Sequence, residues 1–222
     1  MNHGKKFLTA ALASLVLILV GNINIQGFVC INNIVEVFGD EEGSGKQQIE
    51  SYVISGASSF LQAHSYVNLL LNEYELSGTQ AFNFNNALEY TESAISLLES
   101  ARNRYVSAKT LGAGLGYNQQ KIDLFKSFDY DGFIEANNLN KDIAKEVKKY
   151  LIAGDITGIY RKAADDITGI LDTLYTVKEI LKSSVKPDIT LFWKLLQQYS
   201  QGALFGNYAT LIGTAVLDKQ IR

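Results

Sequence analysis

The residue with the widest chemical repertoire in this sequence is His64, which follows Phe60 by four residues and precedes Val67 by three. That spacing places it on the apolar side of a predicted helix. There a histidine could ligate a haem or transfer a proton, because its imidazole titrates near neutral pH. A single histidine on a core face is more often packed and hydrogen-bonded to a neighbouring hydroxyl or carbonyl. We expect this packing role for His64.

Other ligands that would complete a site around His64 are missing from the sequence. The one further histidine is His3, near the N-terminus, and the one cysteine is Cys30. Multi-histidine zinc sites, the paired Glu-x-x-His motifs of di-iron bundles and the C-x-x-C-H haem attachment motif all need more of these residues. The sequence therefore predicts no catalytic residues, no cofactor and no metal site, and it favours a protein that is not an enzyme.

The Asp129–Glu135 turn resembles part of a calcium-binding EF-hand loop, in which oxygen ligands surround a glycine at the sharp bend. With Gly132 in the place of that glycine, Asn138 stands where the closing bidentate glutamate belongs. The alternative is a helix-capping turn, in which Asp131 accepts hydrogen bonds from backbone N–H groups at the start of a helix from Phe133 to Leu151. We favour the capping turn.

Two further patterns have weaker chemical implications. The glycines of Gly112-x-Gly114-x-Gly116 resemble half of a dinucleotide fingerprint, but that motif must follow a strand, and here it follows a helix. We interpret it as a helix stop and a flexible loop. The acidic pairs are predicted to be solvated helix faces; they are Glu89 with Glu92, and Asp165 with Asp166.

Aromatic residues cluster in the middle of the chain and allow two interpretations. Tyrosine combines a rigid apolar ring with a polar tip and is common at binding surfaces, so the cluster could bind a partner or a ligand. Alternatively, the rings fill one end of the bundle core, which is the interpretation we prefer. The cluster comprises Tyr117, Phe125, Phe128, Tyr130 and Phe133.

The N-terminus has the pattern of an export signal. Lys5 and Lys6 precede an uncharged, mostly apolar run from Phe7 to Val20, which is shorter than the roughly 20 residues that span a bilayer. We expect a cleaved signal peptide at residues 1–27, with a retained membrane anchor as the alternative. Lipidation at Cys30 is a third possibility, although Val29 is bulkier than the residue a lipobox places before its cysteine.

The charge balance argues against nucleic-acid binding. The whole chain has a net charge of −3, and removing Lys5 and Lys6 with the signal peptide makes the remainder more acidic. Nucleic-acid binding relies on a basic stripe that displaces phosphate counterions. The densest basic patch, at Lys145, Lys148 and Lys149, is predicted to be a solvated helix face.

Helical periodicity organises the rest of the chain. Apolar residues return every three or four positions along four long segments, separated by glycine-rich turns and by Pro187, which breaks the helix near Ser184. The last segment has no charge from Leu195 to Leu217, long enough to span a membrane. Its amides would lack partners in hydrocarbon, so we expect a buried core helix with these amides facing water.

These patterns together predict an all-α, antiparallel bundle of about five helices after an N-terminal signal or anchor segment. We expect an acidic, glycine-rich tether at residues 28–45 and a single bundle domain at 46–222. The predicted function is that of a non-catalytic exported protein of the periplasm or cell envelope, which binds another envelope protein or a small ligand. The alternative is a metal- or cofactor-binding bundle that uses His64 or the Asp129–Glu135 turn.

Overall fold

The computed structural model describes residues 44–76, 81–113 and 119–218. All regular structure in these ranges is α-helical, which confirms the predicted all-α bundle. The helices are α1 (Ser44–Leu76), α2 (Phe84–Gly112), α3 (Gln119–Ser127), α4 (Tyr130–Ala136), α5 (Lys141–Ala153), α6 (Ile156–Lys182) and α7 (Ile189–Asp218). The predicted signal peptide, most of the tether, Cys30 and Gly114 to Tyr117 lie outside the described residues.

Helices α1 and α2 form the predicted antiparallel hairpin. The apolar stripes read from the sequence are largely buried on both helices, including Val53 and Phe60 on α1 and Leu98 on α2. The helices approach closely at Gly56, where a Cβ atom would lie 3.2 Å from both Arg104 Cβ and Tyr105 Cε2. The absence of a side chain at this one position therefore sets the spacing of the hairpin.

Helix α6 begins at the first copy of a repeated Asp-Ile-Thr-Gly-Ile segment. Asp155 caps the helix, since its Oδ1 accepts from Gly158 N at 2.7 Å and from Thr157 Oγ1 at 2.9 Å. In the second copy Asp166 lies inside the helix and forms an ion pair instead. The same five residue types thus start a helix in one copy and continue it in the other.

The region between α3 and α6 differs from the prediction. A single helix is predicted from Phe133 to Leu151, but α4 ends at Ala136 and α5 begins at Lys141. Asn138 adopts a left-handed φ of 50°, which asparagine tolerates better than most residues. Asn140 then caps α5, because its Oδ1 accepts from two backbone N–H groups. Asparagine side chains compete with helical hydrogen bonds, and this competition breaks the helix.

Helix α7 completes the bundle. Its small residues Gly202, Gly206, Ala209 and Gly213 are buried, as expected for close helix packing. The expectation that its amides all face water was wrong for Gln198. Its Nε2 donates to Gly169 O at 2.9 Å, and its Oε1 accepts from Thr173 Oγ1 at 2.8 Å, so this amide joins α7 to α6.

No helix within the described part of the chain is both long and apolar enough to cross a membrane.

The four long helices are arranged in sequence around the core. Helix α2 packs between α1 and α6, and α7 packs against α6 and α5. Tyr208 Oη on α7 accepts from Asn140 N at 2.8 Å, which ties α7 to the start of α5. Helices α1 and α7 meet through aromatic rings, and this contact positions the candidate site.

Candidate functional site

An aromatic seam joins α1 to α7. The ring of Tyr199 on α7 lies 5.0 Å from that of Phe60 and 5.5 Å from that of His64, measured between centroids. Further along, Tyr74 on α1 lies 4.5 Å from Phe192 on α7. Ring pairs at these separations attract each other beyond the effect of area burial. The seam therefore closes the bundle where the two helices meet mainly through large side chains.

His64 occupies the packed position that the sequence predicted. It is 8% exposed, and Asn68 Nδ2 donates to its Nδ1 at 3.3 Å, which leaves the proton on Nε2. Burial lowers its pKa, since the charged imidazolium loses its hydration. The imidazole is thus held neutral between aromatic and amide neighbours, an arrangement that suits packing better than acid–base catalysis.

The phenol of Tyr199 is the unusual polar group of the seam. Its Oη is buried and has no hydrogen-bond partner among the described residues, and burial raises the pKa of the phenol. A buried hydroxyl without a partner costs free energy relative to a hydrated one. Tyr160, on α6, shows the same combination deeper in the core.

The Asp129–Glu135 turn is a helix cap in the structure. Asp129 Oδ1 accepts from Gly132 N at 3.0 Å at the start of α4. The expected capping residue was Asp131, which instead lies exposed in the first turn of that helix. The capping residue is Asp129, two residues before the predicted one, because α4 starts at Tyr130 rather than at Phe133.

Metal-ligating side chains do not cluster in the part of the chain that the structure describes. Within residues 44–76, 81–113 and 119–218, no group of three or more His, Cys, Asp and Glu side chains is placed to hold a metal ion. His64 packs against Tyr199 and bonds to Asn68, and Asp129 caps α4.

One acidic residue is less solvated than the sequence predicted. Asp166 on α6 binds Lys162 Nζ through both carboxylate oxygens, at 2.5 and 2.6 Å, and Glu146 Oε1 on α5 lies 4.0 Å from the same nitrogen. Burial raises the pKa of Asp166, and Lys162 opposes that shift. Lys162 also lies 5.1 Å from the ring centroid of Phe205 on α7, so this pair braces three helices.

The other predicted acidic pair is exposed and partly bonded. Glu92 on α2 accepts a salt bridge from Lys178 on α6 at 2.9 Å, while Glu89 is exposed. Nearby, the hydroxyl of Tyr175 on α6 donates to Glu99 on α2. Glutamates on the exposed side of α2 therefore form polar contacts with residues of α6.

The aromatic cluster in the middle of the chain packs inward. Phe125, Phe128 and Tyr130 are buried, and the ring of Phe128 lies 5.1 Å from Tyr130 and 5.3 Å from Phe133. The structure favours the interpretation that these rings fill one end of the core.

Charge is distributed very unevenly among the long helices. Helices α2 and α6 carry fourteen Asp, Glu, Lys and Arg residues, whereas α1 and α7 carry six, all near the helix ends. No such residue occurs between Ser51 and Asn72 on α1, or between Leu195 and Leu217 on α7. Since α1 and α7 are neighbours, the bundle has one flank that lacks charge.

This flank also exposes large apolar side chains. The described residues include eight exposed large hydrophobic side chains, and five of them lie on α1 or α7. These five are Ile54, Leu69, Ile189, Trp193 and Leu211. Hydrophobic residues scattered singly on a surface are normal, but a contiguous exposed patch marks an interaction site.

Helical spacing places three of these side chains, Ile54, Trp193 and Leu211, in two stripes of exposed and partly exposed residues, which we call the uncharged face. The members of each stripe follow one another at intervals of three, four or seven residues, and each stripe combines large apolar side chains with serine. On α1 the stripe consists of Ile54, Ser58, Leu61 and Ser65. On α7 it consists of Trp193, Leu196, Ser200, Leu204 and Leu211. Lys194 is off the stripe, about 100° around the helix from Trp193.

Only one of the two charge-free segments is among the features predicted from the sequence. The segment from Leu195 to Leu217 is predicted to be a core helix, whereas the segment from Ser51 to Asn72 is predicted only as part of a periodic helix. The signal was present, because a helix that lacks charge on every side cannot have an ordinary solvated face. What the sequence lacked was the adjacency of α1 and α7, which the seam around Tyr199 creates.

Comparison of the whole chain with protein-family models, curated proteins and solved structures finds no match.

Proposed function

We propose that this chain is a non-catalytic, exported cell-envelope protein that acts by binding a partner protein through its uncharged face. The observation that carries the proposal is the concentration of exposed apolar side chains on the two long helices that lack charge. The centres of protein interfaces are depleted of charged residues and enriched in aromatic ones. Trp193, which is 38% exposed at the start of the α7 stripe, supplies an aromatic side chain to this face.

The roles of the reactive side chains support a binding rather than a catalytic function. His64 is held neutral by burial, and Asp166 is engaged by Lys162. A general acid or base needs access to the atom with which it exchanges a proton. These two groups are instead committed to contacts within the bundle.

The export part of the proposal comes from the sequence. Lys5 and Lys6, followed by the apolar run from Phe7 to Val20, have the form of a signal peptide. In cells that make the full chain, we expect the protein in the periplasmic or envelope fraction without residues 1–27. Fractionation and N-terminal sequencing test this directly, and the intact chain in the cytosol would contradict it.

Site-specific photocrosslinking tests the binding surface. A photoreactive amino acid is placed at Trp193 or Leu211 on the uncharged face, and at Val106 on α2 as the matched control. Val106 is 45% exposed, so the three positions are similarly accessible. We expect a discrete crosslinked protein from the two face positions and not from Val106. Failure of both face positions, or equal crosslinking from Val106, would overturn the proposal.

A further inference from the structure

We infer that the partner bound by the uncharged face is a second copy of this chain, in a two-fold symmetric dimer. This inference rests on the proposed function above, and it specifies which protein occupies the face. Four properties of the face lead to it: the placement of charge on the bundle, the hydrogen-bonding character of its polar residues, its size and its lack of basic residues.

The placement of charge favours pairing of identical faces. The chain as a whole is acidic, and its ionised side chains concentrate on helices such as α2 and α6, away from the middle of α1 and α7. Two copies that meet through their uncharged faces keep their charges on the outside of the dimer, where water screens the repulsion. Since the two stripes themselves contain no ionised group, pairing them avoids the main penalty of buried charge.

The polar residues of the face are complementary to themselves. The stripe residues Ser58 and Ser65 on α1, and Ser200 on α7, carry hydroxyl groups that both donate and accept hydrogen bonds. A two-fold interface brings the same patch together from both subunits, so each polar group must find a partner of its own kind or a close neighbour. Hydroxyl groups satisfy that condition, whereas a cluster of lysines or of glutamates does not.

The size of the face is sufficient for a stable dimer. The charge-free segments of α1 and α7 contain 22 and 23 residues, and at 1.5 Å per residue each is roughly 33 Å long. Two neighbouring helices, each about 10 Å wide, present on the order of 650 Å² from each copy. Pairing two such faces removes about 1,300 Å² from water, within the range of stable protein interfaces.

A membrane surface is the less suitable occupant. Helices that lie on membranes carry lysine and arginine along the border of their apolar face, where these residues meet anionic headgroups. The segments Ser51 to Asn72 and Leu195 to Leu217 contain no basic residue apart from the neutral His64. Serine and leucine in alternation suit close helix packing, in which large side chains enter the gaps above small ones.

The first experiment measures the mass of the protein purified from the envelope fraction of cells that make the full chain. Sedimentation equilibrium should give twice the monomer mass. Trp193→Glu and Leu211→Glu, at the two ends of the α7 stripe, should each weaken the dimer by about tenfold or more, because each places a charge in an apolar contact. The matched control is Val106→Glu on α2, which should leave the dimer unchanged. Circular dichroism confirms that each variant is folded.

Trp193 offers a native probe, because it is the only tryptophan in the sequence and is 38% exposed in the single chain. Dimerisation should bury it. On dilution through the dissociation range, its fluorescence should shift to longer wavelength and become more accessible to iodide. Leu211→Glu should show the shifted emission at concentrations at which the unsubstituted protein is dimeric. Emission that does not depend on concentration, in a protein that sediments as a dimer, would place the contact elsewhere.

A second experiment locates the contact without weakening it. In a Cys30→Ser background, single cysteines replace Ser58 on α1, Ser200 on α7 and, as the control, Ser107 on α2, which is partly exposed like Ser200. Residues close to a two-fold axis meet their own copy. We expect crosslinking into dimers from at least one face position, about tenfold or more faster than from Ser107, because proximity replaces random collision.

The outcomes separate the two proposals. A protein that sediments as a monomer, or that dimerises with Ser107→Cys crosslinking as fast as the face positions, overturns the second-copy inference. If photocrosslinking from Trp193 then yields a different protein, binding through the face stands and only the identity of the partner is wrong. Binding to vesicles of phosphatidylglycerol and phosphatidylethanolamine that Trp193→Glu abolishes, by a monomeric protein, would replace the second copy with a lipid surface.

Discussion

The helices on the two flanks of this bundle are joined by different kinds of contact. On one flank, α2 and α6 pack closely and then pair charges across their outer edge, as Glu92 does with Lys178. On the other, α1 and α7 meet through the rings of Phe60 and Tyr199 and lack charge along most of their length. The first flank therefore presents charged side chains to the solvent. The second flank presents mainly apolar and uncharged side chains, although it too lies at the surface.

The difference in charge favours the α1–α7 flank as the surface that contacts another molecule. A surface that only has to remain soluble is expected to mix charges of both signs, because ionised groups prevent association at little cost. The α2–α6 flank has that character. The uncharged face has no ionised groups to prevent association, and it exposes Trp193 and Leu211. Contact with another molecule that covers these two side chains is therefore favoured. The predictions below test the contrast, beginning with the seam that holds the uncharged flank together.

Removing the ring of Tyr199 should have the largest effect. Tyr199 is 4% exposed and contacts both Phe60 and His64, so Tyr199→Ala leaves a cavity between α1 and α7. We expect a loss of about 3 to 5 kcal/mol in the free energy of unfolding, measured by urea denaturation. The control is Tyr175→Ala on the charged flank, where the side chain is 40% exposed and the loss should be about 1 kcal/mol or less.

A finer version of this test removes only the hydroxyl. Since Tyr199 Oη has no partner among the described residues, Tyr199→Phe should be neutral or stabilising, within about 1 kcal/mol of the original protein. A larger loss of stability would mean that the phenol makes a hydrogen bond, for example to a buried water. The seam would then be a polar network rather than an aromatic packing contact.

The pair of Lys162 and Asp166 should give the next largest effect, because it is the least solvated ion pair of the charged half. Asp166→Asn removes a carboxylate that is 21% exposed and binds Lys162 through both oxygens. We expect a loss of about 1 to 3 kcal/mol, measured by urea denaturation. Asp165→Asn, at the exposed neighbouring position, should change stability by less than about 0.5 kcal/mol. Equal losses would show that local helix propensity, and not the pair, is responsible.

The sequence was sufficient to predict the fold because burial follows helical periodicity. Val53, Phe60, Leu98 and Val177 were all expected on core faces from their spacing alone, and all are buried. Helix breaks were harder, since the break around Asn138 depends on side-chain competition that periodicity does not report. The uncharged face could be predicted only in part: its two charge-free segments are visible in the sequence, but their adjacency is a property of the packed bundle.

The pH dependence of stability should report on the uncharged flank through His64. Burial lowers its pKa in the folded protein, whereas in the unfolded chain it titrates near about 6.5. As the pH falls below that value, the unfolded chain binds the proton first, so stability is lost between this pH and the lowered folded pKa. His64→Phe should remove this loss between pH 7 and 5.5. An unchanged slope in that variant would show that His64 does not titrate on unfolding.

The smallest loss of stability is expected from removing an exposed charge on the α2–α6 flank. Glu92 and Lys178 lie 2.9 Å apart, with side chains 48% and 23% exposed. Exposed pairs of this kind contribute about 0.2 to 1 kcal/mol, so Glu92→Gln should lower stability only slightly. The loss should shrink further in 1 M NaCl, where the Debye length falls to about 3 Å. Glu89→Gln, at an exposed position one turn earlier on α2, serves as the control. A loss from Glu92→Gln that persisted in high salt would mean that the charged flank depends on buried ion pairs, and the two flanks would then differ less than their surfaces suggest.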